Sequence, residues 1–142
     1  MQHFVTHDAA GAIVNTCAST LPGEWVMQHW TYPEGGGVAL MPAPLDGPAE
    51  HYRVGPLAEV LPRDVMTPSV SALEIAADGV AEAVIAGLPV PCVVEVTGAV
   101  AAGPVEVTGG VVSITSTEPG ALRVRITAGV QWRAWEVVIN AA

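Results

Sequence analysis

Residues 73–140 read LEIAADGVAEAVIAGLPVPCVVEVTGAVAAGPVEVTGGVVSITSTEPGALRVRITAGVQWRAWEVVIN. Short runs of Val, Ile and Thr are cut at near-regular intervals by Gly and Pro. The branched Cβ of these residues is stiff and packs well on a pleated surface. Breaks spaced about 8–12 residues apart are the sequence form of an all-β sandwich or barrel. The spacing predicts seven short strands, near 72–76, 82–86, 91–97, 102–108, 110–116, 121–127 and 132–140. Asp78-Gly79 is a hairpin signal between the first two. In LRVRIT (122–127), Leu122, Val124 and Ile126 alternate with Arg123, Arg125 and Thr127, as a strand with one wet face requires. In WRAWEVVIN, Trp132 and Trp135 stand three apart. On one regular strand they would face opposite sides, so one is expected in the core and the other in solvent.

Upstream, QHFVT (2–6) and AIVNTC (12–17) alternate like strands around Asp8-Ala9-Ala10-Gly11, a turn sequence. WVMQHW (25–30) reads as a further strand. Residues 33–50 hold Pro33, Gly35-Gly36-Gly37, Pro42, Pro44, Gly47 and Pro48, and that density of breakers predicts loop. HYRV (51–54) and LAEVL (57–61) read as a ribbon around Gly55-Pro56. No stretch keeps a helical period over three turns. The expected organisation is an N-terminal β-ribbon and hairpin segment over 1–65, a linker over 66–70 and a β-sandwich over 71–142. A sandwich that small is marginal alone and gains from docking on a partner.

Half of the 142 residues are apolar, enough for a packed core. The basic residues are five Arg with no Lys, set against fourteen acids, for a formal charge of −9 divided evenly along the chain. Such a surface repels phosphate backbones and anionic lipid, which argues against nucleic acid and against membrane binding. No run approaches the ~20 apolar residues of a membrane span. MQHFVTHD has neither a basic nor a long apolar leader region, so the expectation is a chain made in the cytosol and not exported by the usual route. Cys17 and Cys92, far apart and in no metal-binding spacing, are expected as buried free thiols.

Searching for chemistry yields little. The chain has no GxGxxG, P-loop, HExxH or GxSxG. Four histidines, His3, His7, His29 and His51, fall in the first half. His3 and His7 share a strand face but stand about 13 Å apart at ~3.3 Å per residue, too far for one zinc. Asp8, Asp64 and Asp78 suit turn positions, and Glu95 with Glu106 suit the outward face of half-exposed strands. The reading is therefore no catalytic residue, no metal and no cofactor. The aromatics say more. Trp25, Trp30 and Tyr32 cluster in the first half, and Trp132 with Trp135 in the last strand. These five are the candidate contact residues, since exposed aromatics mark interfaces or sugar-stacking platforms.

HFVTHDAAGAIVNTC resembles the opening of small proteins encoded among the tail genes of tailed bacteriophages: a strand, a D-x-x-x-G turn and a second strand. HYRVGPLAEVLPRDVMTPSVSALEIAADG is similar to their ribbon and Pro-containing connector. AVIAGLPVPCVVEVTG and EPGALRVRITAGVQWRAWEVVIN resemble the immunoglobulin-like module that closes them. The insertion over 33–48 and the AVAAGPVEVTGG stretch depart from that pattern. The resemblance implies an Ig-like sandwich at the C-terminus. It also implies a non-enzymatic structural component of the virion tail (tip, baseplate or fibre) that docks on other tail proteins, with homo-oligomerisation in the tail or a host-surface glycan as further partners. A glycan-binding module and a transient fibre-assembly chaperone are the competing readings.

Overall fold

The computed structural model describes residues 1–23, 25 and 29–142. It is all-β. The chain divides into two compact units, Met1–Asp64 and Val65–Ala142.

The first unit is built around one strand. β1 (Gln2–His7) lies between β2 (Ile13–Ser19) and β3 (Gly37–Met41), all antiparallel. The turn from β1 to β2 is made by Asp8: its Oδ1 accepts the N–H groups of Ala10 and Ala12 at 3.0 and 2.9 Å. Gly11 closes it at φ 90°, a conformation that favours glycine. A side chain there would also meet the Val54 carbonyl. In β1, Phe4, Val5 and Thr6 are consecutive and all fully buried, so both faces of the strand are covered. On one face Phe4 and Val38 meet Cys17, Trp30 and Leu40. On the other, Val5, Ala39 and Met41 meet Val54, Leu45 and Val60. Val54 and Val60 come from the hairpin of β4 (Tyr52–Val54) and β5 (Val60–Pro62), entered through a short 3₁₀ turn at Ala49–His51.

Three expectations need correction in this unit. Residues 33–50 are not all loop, because β3 runs through them with Val38, Ala39 and Met41 buried. The breakers crowd to either side of Val38–Met41, and that breaker-free window is long enough to pair with β1. The ribbon turn is wider than Gly55-Pro56: Gly55 N–H donates to Glu59 O at 2.8 Å, with Ala58 at φ 57°. The strand expected over 25–30 falls partly on Val26, Met27 and Gln28, outside the described residues. At Trp25 and His29 the backbone is helical.

The second unit is a two-sheet sandwich. β6 (Ser69–Val70) pairs with β8 (Ala83–Ala86), and β8 with β11 (Val111–Ile114). The facing sheet runs β10 (Ala102–Val107), β9 (Cys92–Gly98), β12 (Gly120–Thr127), β13 (Trp135–Ala141) and β7 (Glu74–Ile75). β7 is parallel to β13; the other neighbours are antiparallel. The first strand is thus split between the sheets as β6 and β7. The second and fifth lie beside β6, and the third, fourth, sixth and seventh form the facing sheet. Three strands thus face five across one core, the architecture of a β-sandwich. One core fills the space between the sheets, from Ile85 and Ile114 on one side to Val94, Leu122, Val124, Ile126 and Ile139 on the other.

The alternation in LRVRIT holds, with Leu122, Val124 and Ile126 buried and both arginines exposed. Residues 66–70 are not a linker, since Met66 is in the core and Ser69–Val70 is a strand. Asp78-Gly79 makes a turn but no hairpin. Asp78 Oδ1 accepts from Val80 and Ala81 N–H at 2.8 Å, and the chain crosses from one sheet to the other. The donors of Ala81 and then Val80 hold the Asp78 carboxyl below its ordinary value.

Candidate functional site

The five aromatics divide into two groups. Trp30 is half-buried and meets Phe4 edge to face, with ring centroids 4.9 Å apart. Trp132 and Trp135 are both half-buried against the sandwich core. The expectation that one of these two would be exposed is overturned, because β13 begins only at Trp135. Trp132 comes just after a turn, its N–H donating to Gly129 O at 2.9 Å, and lies outside β13, whose alternation does not reach it. Trp25 and Tyr32 remain, 41% and 47% exposed. Trp25 is held in place: His29 stacks on it at 4.5 Å and 14°, and the His29 Nδ1 is 2.9 Å from the Trp25 carbonyl. Leu21 is exposed nearby in sequence. Trp25 and Tyr32 are therefore the exposed aromatics among the first unit's described residues.

The titratable groups are dispersed. Among the described residues no three His, Cys, Asp or Glu side chains gather where they could hold a metal ion. His7 Nδ1 is 2.8 Å from the Asp8 carbonyl, and His51 ends the 3₁₀ turn. His3 lines a cleft of about 360 Å³ with Thr16, Cys17, Met41 and Leu45. Cys17 is half-buried, against expectation, and Cys92 is buried; both are free. Burial pushes both thiols up, which keeps them protonated near neutrality and poorly nucleophilic.

Glu95 and Glu106 lie on the solvent face of the five-stranded sheet. Glu106 stands opposite Val93, two residues from Glu95. Glu95 stands opposite Arg125, whose guanidinium reaches Glu136 at 3.0 Å. The carboxylates belong to an exposed charge ladder. A second cleft, of about 260 Å³, is lined by Pro91, Cys92, Val93, Glu106 and Thr127.

The two outer faces of the sandwich differ in charge. The outer face of the three-stranded sheet carries Ser69, Val84, Ala86, Val111 and Ser113, with no charge, whereas the facing sheet's outer side carries Glu95, Glu106, Arg123, Arg125 and Glu136. The signal was the alternation of Val111–Ser116, exposed at odd positions and covered at even ones. Compared with known proteins, the chain matches no family model, no curated sequence and no solved structure. No helix among the described residues is long and apolar enough to cross a membrane.

Proposed function

We propose that the chain is a non-enzymatic structural component of a bacteriophage tail, at the tip, baseplate or fibre, that works by docking on other tail proteins. The observation that carries the docking part is the pair of exposed aromatics in the first unit. Trp25 and Tyr32 offer large, rigid apolar surface with a polar handle, and such side chains dominate contact energies when a partner covers them. The tail assignment rests on the sequence resemblance alone. Mass spectrometry of purified virions tests it. Retention at stoichiometric copy number is the expected result. A chain needed for assembly but missing from the particle would make it a transient fibre-assembly chaperone, and one neither needed nor retained would sink the tail reading.

The same stacked Trp25 favours one second reading, a glycan-binding module in which the indole face receives a sugar ring. A glycan array separates the two. Binding that is lost in Trp25→Ala supports sugar recognition, and a flat array supports protein docking.

A further inference from the structure

The edges of the sandwich are not equally protected. Edge strands invite pairing with other chains, and proteins blunt them with proline, charge, bulges or shortness. β10 carries Pro104, Glu106 and a register break between Ala102 and Val105. β6 and β7 are two residues each, the first preceded by Pro68 and the second carrying Glu74. β11 has none of these devices. From Val107 to Thr117 the sequence VTGGVVSITST contains no charge and no proline. Its Val- and Ile-rich core has the composition of a segment that seeks a β partner.

The open backbone groups on β11 can be assigned. Ser71 N–H donates to Val84 O at 2.9 Å, and Val84 N–H donates to Ser71 Oγ at 2.7 Å, so Val84 turns its backbone groups toward the β6 side. Along a strand, neighbouring residues point to opposite edges. Ala83 and Ile85 therefore face β11, where they stand opposite Ile114 and Val112. Gly110, of the same parity as Val112 and Ile114, likewise turns its carbonyl inward and accepts from Leu88 N–H at 3.1 Å. Val111 and Ser113 are left with N–H and C=O directed to the open edge, and Thr115, one residue past the strand, has the same parity. Their side chains are all exposed, with Val111 at 50%.

We propose that this edge pairs with a second copy of itself, antiparallel, across a twofold axis at Ser113. That register is self-complementary. Ser113 exchanges its backbone bonds with Ser113 of the other copy, and Val111 with Thr115. Val112 then lies beside Ile114 on the core side, extending both cores across the joint. A second copy suits this edge because the edge is uncharged and pairs with itself in register. Two chains of −9 repel each other, and β11 sits in an eleven-residue stretch with no acid to bring into opposition. The proposal is independent of any role in a virus particle.

Sedimentation equilibrium of the full chain tests it. The expected result is a concentration-dependent dimer that tightens with added salt, because salt screens the net repulsion. Ser113→Lys puts two ammonium groups at the axis and should weaken the dimer by about tenfold or more. Ser113→Pro should do the same by removing an outward N–H, one that the sheet itself does not use. Val105→Lys, on the β10 edge, should leave the dimer intact. A chain that stays monomeric, or a dimer that survives both Ser113 variants while they remain folded by circular dichroism, would overturn the proposal. If the proline variant fails to fold, the lysine variant decides alone, since it keeps every backbone donor.

Discussion

The two units bury their apolar residues in different ways. The second stacks two sheets over one core, to which strands such as β9 and β12 give alternate residues. The first threads a single strand through its middle and covers both sides, so that Phe4, Val5 and Thr6 are buried in succession. One core shared by eight strands tolerates the loss of any one contributor better than two small clusters hung on β1. Phe4→Ala should therefore have the largest effect. Emptying a buried Phe site costs about 3–5 kcal/mol, a large part of what a unit this small can hold. The expected outcome in urea is loss of the first unit, read as collapse of amide-exchange protection across β1–β3. Ile126→Ala in the sandwich should cost about 2–5 kcal/mol and leave that unit cooperatively folded at 25 °C. Equal tolerance of the two substitutions would break the comparison.

The contrast also explains what could be read in advance. Strict alternation is legible because each inward residue has an outward neighbour, and LRVRIT was assigned face by face. A strand buried on both sides has no such period. QHFVT could be recognised as a strand without showing that Thr6 lies in the core. β3 is hidden among prolines and glycines, because pairing depends on the uninterrupted residues between them and not on the density of breakers around them. Asp78-Gly79 announced a turn correctly, but a turn motif does not say which sheet the next strand joins. The tryptophan parity failed for a related reason: Trp132 lies before β13, and alternation holds only inside a strand. Among the contact candidates, Trp25 and Tyr32 were legible as aromatics, whereas their exposure depended on what Phe4 and the sandwich core took up. The open β11 edge was hidden because an edge is defined by an absent neighbour.

Gly11→Ala sharpens the comparison from the backbone side. Its φ of 90° and the adjacent Val54 carbonyl leave no room for a methyl group, so the β1–β2 turn and its bridge to β4 must both shift. Such a site costs about 1–3 kcal/mol. The measurement is the urea midpoint followed in the first unit, where Val54 N–H donates to Gly11 O at 2.8 Å. Gly109→Ala, with open space around it and no left-handed φ, is the control; its midpoint is followed in the second unit, where it lies, and it should cost far less. A Gly11 variant as stable as that control would show that the turn is not what joins the hairpin to the β1 sheet.

Thr6→Val asks whether burying both faces of β1 carries a penalty. The Thr6 hydroxyl is fully buried with no hydrogen-bond partner among the described residues. An unsatisfied buried polar group costs about 1–3 kcal/mol, and valine removes it at nearly the same volume. The expected result is a gain in the thermal midpoint, opposite in sign to almost every other core substitution. A loss of stability would place a hydrogen-bond partner on that hydroxyl in solution.

The smallest effect belongs to the charge ladder on the sandwich. Arg125 and Glu136 make a direct ion pair at 3.0 Å, yet both side chains are about half exposed. Solvent screens such a pair and both chains lose rotamer freedom to hold it, so a double-mutant cycle should return about 0.2–1 kcal/mol. Glu95, across from Arg125 on the other neighbouring strand, can take over when Glu136 is removed. Glu136→Ala alone should then cost less than Arg125→Ala, which leaves two carboxylates facing each other across the sheet. Raising the salt concentration should shrink that difference, because the repulsion left behind by Arg125→Ala is itself exposed and screened. A pair energy near that of a core contact would mean the ladder, and not the buried strands beneath it, sets the sandwich's stability.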